Sequence, residues 1–311
     1  MTKKKPLVIV TRKLPDVVET RMCELFDTRL NISDKPMSQA ELAEAMRTAD
    51  VLVPTVTDRI DAGLIAQAGD NMKLIANFGN GVDHIDLNAA RERGITVTNT
   101  PGVLTDDTAD MTMALILSVS RRIAEGARVI PEGNFHGWSP TWMLGHRITG
   151  KRIGIVGMGR IGQAIAHRGA HGFGMKVIYH NRSRLSPAIE QGLNGARYVS
   201  KEDLLRESDH LVIVVPYSAS SHHAIGAAEL AMMKPTATLT NVARGGVVDD
   251  AALAQALKNR TIAAAALDVF EGEPALNLAL LTVPNVVLTP HIASATVATR
   301  RAMAELAADN L

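Results

Sequence analysis

Three side chains suited to catalysis stand near the C-terminal end of the chain, each after a predicted strand. Arg244 follows the strand predicted at 237–241, Glu273 comes shortly after the strand that ends at Asp268, and His291 follows the next strand. Ligands of open parallel sheets bind outside the carboxyl ends of the strands, so these groups are expected together at one edge of one sheet. A surface salt bridge would explain each side chain alone, but the three together favour chemistry.

This set of side chains suits the reduction of a 2-keto acid. Arg244 can bind a substrate carboxylate with a fork of donors and can polarise the adjacent carbonyl oxygen. His291, as an imidazolium, can protonate the alkoxide that forms. A carboxylate hydrogen-bonded to the imidazole fixes its tautomer and stabilises its charged form. Glu271 and Glu273 both follow the strand, and we assign this role to Glu273.

A glycine-rich turn supplies the predicted nucleotide site. Gly157, Gly159 and Gly162 follow a short apolar run at 152–156 and precede a helical pattern over 163–168. In a strand–turn–helix unit the first glycine makes the tight turn, the second lets backbone approach a pyrophosphate, and the third lets helix pack on strand. The helix N-terminus then faces the phosphate charge. A turn that binds nothing is the alternative, and the catalytic side chains argue against it.

The elements around these residues predict an α/β fold in two domains. A chain of 311 residues is long for one core, and strands alternate with helices on both sides of a break at Thr100–Gly102. We predict two Rossmann-like doubly wound parallel-sheet domains with a cleft between them. Residues 1–99 plus 290–311 form the substrate domain, and residues 100–289 form the dinucleotide-binding domain. The predicted strands are 7–10, 51–54, 74–77 and 95–97, then 153–156, 177–180, 211–215, 237–241, 264–268 and 286–289.

Several helices carry recognisable start signals. Ser38 followed by Glu41 predicts a capping box at the start of a helix, and Asp249–Lys258 is the clearest helix of the second domain. A long helix is predicted from Thr105, its N-cap, through Val119, and it is expected to continue in some form towards Ile130. The final helix, over 295–310, is expected to cross back to the first domain.

The segment Pro131–Gly150 stands apart because it shows no helical or strand pattern. It contains both tryptophans, Trp138 and Trp142. An irregular insertion of this length is uncommon inside a compact domain. We expect a functional loop or an arm that grips a second subunit.

Composition excludes several other classes of protein. The net charge is +1, with no basic block beyond Lys3–Lys5, so nucleic acid is an unexpected partner. Cys23 is the single cysteine, which fits a reducing, cytoplasmic compartment. The apolar run at 7–10 is too short for a signal peptide, and no run approaches the roughly 20 residues of a membrane span.

The other histidines show no metal-binding pattern. The chain contains no HExxH and no cysteine–histidine cluster, so no metal site is expected. His84 lies in a predicted helix-entry loop and is interpreted as structural. His222 and His223 are adjacent, so on a strand or a regular helix they would point apart.

Six stretches of the chain, in the same order, resemble the D-isomer-specific 2-hydroxyacid dehydrogenase family. Within that family the chain is most similar to the glyoxylate and hydroxypyruvate reductases. The family's catalytic Arg, Glu and His fall on Arg244, Glu273 and His291, the residues already assigned from their chemistry. The matching stretches are 77–86, 100–106, 157–162, 241–246, 268–274 and 289–294.

The resemblance also implies binding residues. The backbone of Asn80, Gly81 and Val82 would hold the substrate carboxylate together with Arg244, while His291 would contact the substrate. The resemblance further implies a homodimer, in which one tryptophan of the arm can reach the partner's site; packing of Trp138 on Trp142 is the alternative. The implied cofactor contacts are Arg160 and Ile161 at the pyrophosphate, Asp268 at the nicotinamide amide, and Thr108, Val215, Pro216, Val242, Ala243 and Ser294.

The residues after the strand at 177–180 bear on the choice of nicotinamide cofactor. An NAD enzyme needs an acidic residue there to bind the ribose 2′-hydroxyl. By register with the family, Asn181 takes that position, and Arg182 and Arg184 offer donors for a 2′-phosphate. The sequence therefore favours NADP(H) over NAD(H). If the two arginines are merely solvated, NAD(H) remains possible.

Two classes of function fit these observations. The first is an NAD(P)-dependent enzyme that reduces a small 2-keto acid such as glyoxylate or hydroxypyruvate to the D-2-hydroxy acid. The second is a dinucleotide-sensing binding protein, similar to transcriptional corepressors that resemble this family. The absence of long interaction tails favours the enzyme.

Overall fold

The structure is a computed structural model that describes residues 5–311. Lys3 and Lys4 of the predicted basic tail therefore lie outside the described residues. The chain divides into two compact units, Met1–Leu104 with Ser294–Leu311 (the first unit) and Thr105–Ala293 (the second unit).

Short strands and helices alternate along both units. The strands are β1 Leu7–Val10, β2 Asp27–Arg29, β3 Val51–Val53, β4 Leu74–Ala76, β5 Thr96–Thr98, β6 Arg152–Val156, β7 Lys176–His180, β8 Arg197–Tyr198, β9 His210–Ile213, β10 Thr238–Asn241, β11 Ala264–Leu267 and β12 Val286–Leu288. The helices are α1 Asp16–Leu25, α2 Gln39–Thr48, α3 Ala62–Ile65, α4 Leu87–Glu92, α5 Thr105–Ser120, α6 Ile123–Val129, α7 Arg160–His167, α8 Pro187–Gly192, α9 Lys201–Glu207, α10 Ala227–Met232, α11 Asp250–Lys258 and α12 Val297–Asp309. A π-helical turn at Arg168–Gly172 and a 3₁₀ turn at Leu278–Thr282 complete the set.

The first unit contains a parallel sheet with strand order β2-β1-β3-β4-β5. Four of these strands were predicted, each to within one residue. The edge strand β2 was missed because Asp27–Arg29 is polar and carries no apolar run. Helix α12 joins this unit, where Met303 and Ala304 pack with the buried valines of β1.

The second unit contains a parallel sheet with strand order β12-β11-β10-β9-β6-β7-β8. The prediction of six strands was therefore one short. The extra strand β8 pairs with β7 through only two residues at the sheet edge, too short a segment to show a pattern. The order reverses between β6 and β9, and at such a point a doubly wound sheet opens a crevice for a ligand. The class of fold predicted from the sequence is confirmed.

The boundaries of the units differ from the predicted ones by a few residues. The first boundary lies after Leu104 rather than after residue 99, since Val103 and Leu104 pack on the core of the first unit. The second lies after Ala293 rather than after residue 289. Backbone N–H groups of the segment that follows β12 bond to Asp268 of the second unit, and His291 therefore belongs to that unit.

Helix boundaries depend on capping. Ser38 and Glu41 form the predicted capping box, and Asp249 accepts hydrogen bonds from the first turn of α11. Thr105, predicted as an N-cap, is instead the first residue of α5. The long helix does not run unbroken to Ile130, because Arg122 adopts a left-handed conformation with φ of 56° and a separate helix, α6, begins after it.

The segment at 131–150 is irregular, as predicted, and exposes apolar side chains. Trp142 stacks on Phe135, with ring centroids 5.8 Å apart, rather than on Trp138. The side chain of Trp138 is 85% exposed. Packing of the two tryptophans on each other was therefore the wrong alternative. Among the described residues, no helix is both long enough and apolar enough to cross a membrane.

His210 is a buried histidine in the core of the second unit, and it predicts a pH-dependent stability. Burial lowers its pKa to about 4, while Nδ1 lies 2.9 Å from the Thr238 hydroxyl. The unfolded chain binds this proton more readily, so stability is lost as the pH falls from about 6.5 through the folded value. Between pH 7 and 4.5 the loss is roughly 2–3 kcal/mol. We expect His210→Asn, which keeps a polar partner for Thr238 but cannot titrate, to show a smaller fall in melting temperature over this range than the parent. Equal falls in both proteins would contradict the assignment.

Candidate active site

Arg244, Glu273 and His291 follow three neighbouring strands of the second sheet. Arg244 comes after β10, Glu273 after β11 and His291 after β12, and these strands are hydrogen-bonded in that order. Because the strands are parallel, all three residues leave the sheet at the same edge. Each strand is a short buried or half-buried run, and the loop that follows it carries the polar side chain to the edge of the sheet.

Glu273 and His291 form a hydrogen-bonded pair. The His291 Nδ1 atom lies 2.9 Å from Glu273 Oε2, and about a third of each side chain is exposed. Since a carboxylate accepts, Nδ1 carries the proton, and Nε2 is left to exchange a proton with a ligand. The second oxygen, Oε1, accepts the Phe270 N–H at 2.8 Å. Both oxygens of Glu273 are therefore fixed, and the imidazole is held in one tautomer.

The charge state of Glu273 results from opposing effects. Burial raises its pKa, but the hydrogen bond and charge of His291, the Phe270 N–H and the charge of Arg244 together outweigh burial and hold the pKa below its ordinary value. Glu273 is consequently ionised at neutral pH.

Asp268 holds the turn that presents His291. Its side chain is fully buried, and it accepts hydrogen bonds from the Thr289 hydroxyl at 2.7 Å and from the N–H groups of Ile292 and Ala293 at 2.9 and 2.8 Å. The His291 N–H donates to the Asp268 carbonyl at 2.9 Å. These bonds keep His291 in a left-handed conformation with φ of 54°. The structure thus gives Asp268 a positioning role, and its predicted contact with the nicotinamide amide stays a prediction.

The Arg244 loop is shaped by a side chain and by a close backbone approach. Asn241 accepts the Ala243 N–H at 3.0 Å and donates to the Arg244 carbonyl at 3.1 Å. A side chain at Gly245 would overlap the Phe270 carbonyl, so only glycine lets this loop pack against the segment that carries Glu273. The Arg244 guanidinium donates to the Ala243 carbonyl at 2.8 Å. The loops that carry Arg244 and Glu273 are in direct backbone contact at Gly245 and Phe270.

The glycine turn has the features expected of a pyrophosphate site. Gly157 has φ of 96°, and a side chain there would meet the Val214 carbonyl at 2.6 Å. A side chain at Gly162 would overlap the Gly157 carbonyl, so α7 packs closely on the end of β6. At Gly159, by contrast, no atom lies within 4 Å of the position of a Cβ. The backbone at Gly159 is open to a ligand, and Arg160 and Ile161 supply the first N–H groups of α7.

The two arginines predicted to bind a 2′-phosphate, both in the loop after β7, have different surroundings. Arg184 forms a two-point ion pair with Glu190, at 2.9 and 2.8 Å, and Glu190 also accepts the Tyr179 hydroxyl at 2.8 Å. The Arg184 guanidinium, followed by the Tyr179 hydroxyl, lowers the pKa of Glu190 to about 2. Arg182 is exposed and has no hydrogen-bond or ion-pair partner among residues 5–311. Asn181 lies at the turn, where Oδ1 is 3.4 Å from the Met158 N–H.

The remaining predicted cofactor residues are dispersed around this sheet. Thr108 is buried on α5, and its backbone carbonyl accepts a hydrogen bond from the Thr112 hydroxyl at 2.7 Å. Val242 and Ala243 are buried directly after β10, and Ser294 begins the returning segment of the first unit. Val215 and Pro216 follow β9, and the Val215 side chain lies next to Gly157.

The predicted substrate loop, Asn80–Val82, belongs to the first unit and follows β4. It lies between Asn77, which is fully buried, and His84, which is partly buried. The Asn80 carbonyl accepts from the Asn99 side chain at 2.7 Å. The loop is therefore held from the end of the neighbouring strand β5.

A cluster around His223 was missed from the sequence. His222 and His223 were expected to point apart on a strand or a regular helix, but they lie in a turn where His223 has φ of 48°, and their rings stack at 3.8 Å. His223 Nε2 lies 3.0 Å from Glu271, which accounts for the second glutamate of the loop after β11, and His222 Nδ1 lies 3.2 Å from the Tyr217 hydroxyl. This pairing spans 48 residues, so no local pattern marks it.

The same cluster brings two histidines and a carboxylate within reach of one metal ion. The ligand atoms of His222, His223 and Glu271 lie within 4.8 Å of one another. The two rings are only 22° from parallel, however, so their in-plane lone pairs do not converge on one point. The hydrogen bond and ion pair between His223 and Glu271 explain the arrangement without a metal.

The sequence is similar to those of known dehydrogenases and reductases. Residues 113–293 match the model of the D-isomer specific 2-hydroxyacid dehydrogenase NAD binding domain. The chain is 47% identical over 311 residues to a glyoxylate reductase of Thermococcus litoralis, covering 99% of this chain and 93% of that protein.

Two solved structures extend the comparison. An NADPH-dependent glyoxylate/hydroxypyruvate reductase from Sinorhizobium meliloti, solved with NADP and malonate, is 36% identical with a TM-score of 0.87, covering 99% of this chain and 92% of that one. A D-mandelate dehydrogenase of Rhodotorula graminis is 29% identical with a TM-score of 0.86, covering 99% and 93%.

Proposed function

Because the chain belongs to the family of D-isomer specific 2-hydroxyacid dehydrogenases, we propose that it reduces glyoxylate, hydroxypyruvate or a similarly small 2-keto acid with NADPH, giving the D-2-hydroxy acid. It is an NAD(P)-dependent oxidoreductase that acts on a 2-keto acid. The observation that carries the proposal is the 2.9 Å hydrogen bond between His291 and Glu273. It lies at the carboxyl edge of the sheet that also carries the glycine turn.

The chain's own residues account for the binding and proton steps. When bound, the nicotinamide supplies the hydride, and the open backbone at Gly159 with the start of α7 fits its pyrophosphate. Arg244 binds and polarises the substrate. His291 donates a proton from Nε2 to the alkoxide oxygen, while Glu273 stabilises the imidazolium through Nδ1. The N–H groups of the Asn80–Val82 loop bind the substrate carboxylate.

The substrate is tested by following cofactor oxidation over a panel of keto acids. The panel contains glyoxylate, hydroxypyruvate, pyruvate and phosphohydroxypyruvate. We expect the highest kcat/KM with glyoxylate or hydroxypyruvate. A preference for pyruvate or phosphohydroxypyruvate would overturn the proposed substrate. Tight NAD(P)H binding without turnover of any acid would instead favour the dinucleotide-sensing class.

The choice of NADPH is supported by the loop after β7. Asn181 stands where an acidic residue would repel a 2′-phosphate, and Arg182 has no partner among the described residues. The relative from Sinorhizobium meliloti carries NADP in its structure. Arg184 is the weaker candidate because its guanidinium is held by Glu190. NAD(H) is the alternative cofactor.

The proposed enzyme is a homodimer assembled through the segment 131–150 and the adjoining helices α5 and α6. Ile130 at the end of α6 and Phe135, Trp138 and Leu144 of the segment each expose more than half of their area. A concentration of large exposed apolar side chains is typical of an interface. By light scattering we expect twice the chain mass of 33.3 kDa. Ile130→Asp combined with Leu144→Asp should give a monomer.

The control for assembly is Leu278→Asp in the same unit. Leu278 is 73% exposed, comparable with Leu144 at 65%, but it lies outside the segment. This variant should remain dimeric. A parent protein that is monomeric at micromolar concentration and fully active would rule out the proposed assembly.

A further inference from the structure

The first three carbonyl groups of the loop at Gly79–Val82 each accept a hydrogen bond from elsewhere in the first unit. The Gly79 carbonyl accepts from the Thr100 N–H at 3.0 Å and from Asn77 Nδ2 at 3.1 Å. The Gly81 carbonyl accepts from the same Asn77 nitrogen at 2.9 Å, and Asn99 holds the carbonyl between them. Three consecutive carbonyl oxygens are thus fixed by amide and backbone donors of the first unit.

The N–H groups of the same peptides have no such partners. A trans peptide directs its C=O and its N–H to opposite sides. Holding the carbonyls of Gly79, Asn80 and Gly81 therefore turns away the N–H groups of Asn80, Gly81 and Val82. Among residues 5–311, none accepts a hydrogen bond from these three N–H groups. Consecutive backbone donors of this kind form a site for an anion.

Asn77 can hold the loop in only one orientation of its amide. Nδ2 faces two carbonyl oxygens, so a rotated amide would place oxygen against oxygen. Oδ1 therefore faces His84, whose Nε2 lies 3.0 Å away and must carry the proton. Asn77 is fully buried, so water does not compete for these bonds.

We propose that Asn77 and His84 are positioning residues: His84 fixes the Asn77 amide, and Asn77 fixes the loop whose N–H groups bind the substrate carboxylate. The inference rests on the proposed function of that loop. Neither side chain needs to touch the substrate. The pair acts through the two carbonyls that Asn77 holds.

The test is Asn77→Asp, which changes one NH₂ group to oxygen at nearly constant shape. It removes two hydrogen bonds to the loop, so KM for the keto acid should rise roughly tenfold to a hundredfold. The affinity for NADPH, followed by its fluorescence, should be unchanged, and kcat should fall less than KM rises. His84→Ala should also raise KM for the keto acid. His84→Gln retains a donor near the position of Nε2, so its KM should lie close to that of the parent protein.

Asn31 provides a matched control in the same unit. Its Nδ2 also donates to two loop carbonyls, those of Thr11 and Lys35, both at 2.7 Å, but it follows β2 rather than β4. Asn31→Asp should lower the melting temperature and leave KM unchanged. Equal changes in KM for Asn31→Asp and Asn77→Asp, or a normal KM in Asn77→Asp, would overturn the positioning role.

Calorimetry with oxalate, which mimics the carboxylate and carbonyl of the substrate, separates this inference from the proposed function because it needs no turnover. Weaker oxalate binding in Asn77→Asp than in Asn31→Asp supports the positioning role even if the parent reduces none of the acids tested. If Asn77→Asp does not fold, the comparison of His84→Ala with His84→Gln decides: equal oxalate affinity in these two variants would overturn the inference.

Discussion

Replacement of His291 is expected to lower turnover by roughly 10²–10⁴, the usual contribution of a positioned general acid. The alanine variant removes the imidazole but places a residue that disfavours positive φ where φ is 54°. Asparagine tolerates this conformation better, so His291→Asn separates the lost acid from backbone strain. Affinity for NADPH should change little in either variant. Near-normal turnover in His291→Asn would remove the residue from the mechanism.

His171 supplies the control for this experiment. It is an exposed histidine of the same unit, hydrogen-bonded to the Gly192 carbonyl at 3.0 Å and unrelated to the catalytic loops. His171→Ala should leave turnover unchanged. Glu273→Gln adds a second comparison, because an amide NH₂ facing Nδ1 would favour the tautomer protonated on Nε2 and would leave the imidazolium without its countercharge. We expect a large fall in turnover for Glu273→Gln as well.

The sequence predicted six strands of the second sheet because each is a short run of mostly apolar or β-branched residues bounded by polar or turn residues. This boundary marks the positions of Arg244 and His291 without any knowledge of the fold. The same reasoning failed for β2 and β8, which are short, polar and at the edges of their sheets. Edge strands form because a neighbouring strand offers hydrogen bonds, and that information is not local.

Side-chain partners were harder to predict than backbone elements. The pairs His223–Glu271 and Arg184–Glu190 depend on how loops fold back, and a periodic pattern does not record this. Residue type alone gave Arg182 and Arg184 the same role, whereas their surroundings differ completely. The turn around His291 was assigned to the wrong unit, because the bonds from Asp268 that hold it are made across a strand end.

Because Arg184 is held by Glu190 and Arg182 is not, replacement of Arg182 is expected to have the larger specific effect on NADPH binding. A hydrogen bond to a charged group contributes about 1.5–3 kcal/mol, so Arg182→Ala should raise KM for NADPH by roughly tenfold to a hundredfold. KM for NADH should barely change, because NADH lacks the 2′-phosphate. Arg184→Ala is expected to act differently: it leaves the nearly buried Glu190 without its cation and should lower stability as well as affinity.

Arg206→Ala is the control that removes an equal charge. Arg206 is exposed on α9 in the same unit and, like Arg182, has no ion-pair partner among the described residues. If the effect of Arg182 were only a change in net charge, both variants would weaken NADPH binding equally, and the fall would be similar for any anionic ligand. A direct contact instead predicts a loss in Arg182→Ala alone, seen with NADPH and not with NADH. The ratio of kcat/KM for the two cofactors in the parent decides the assignment, since a clear preference for NADH would mean that Asn181 and Arg182 do not select the phosphate.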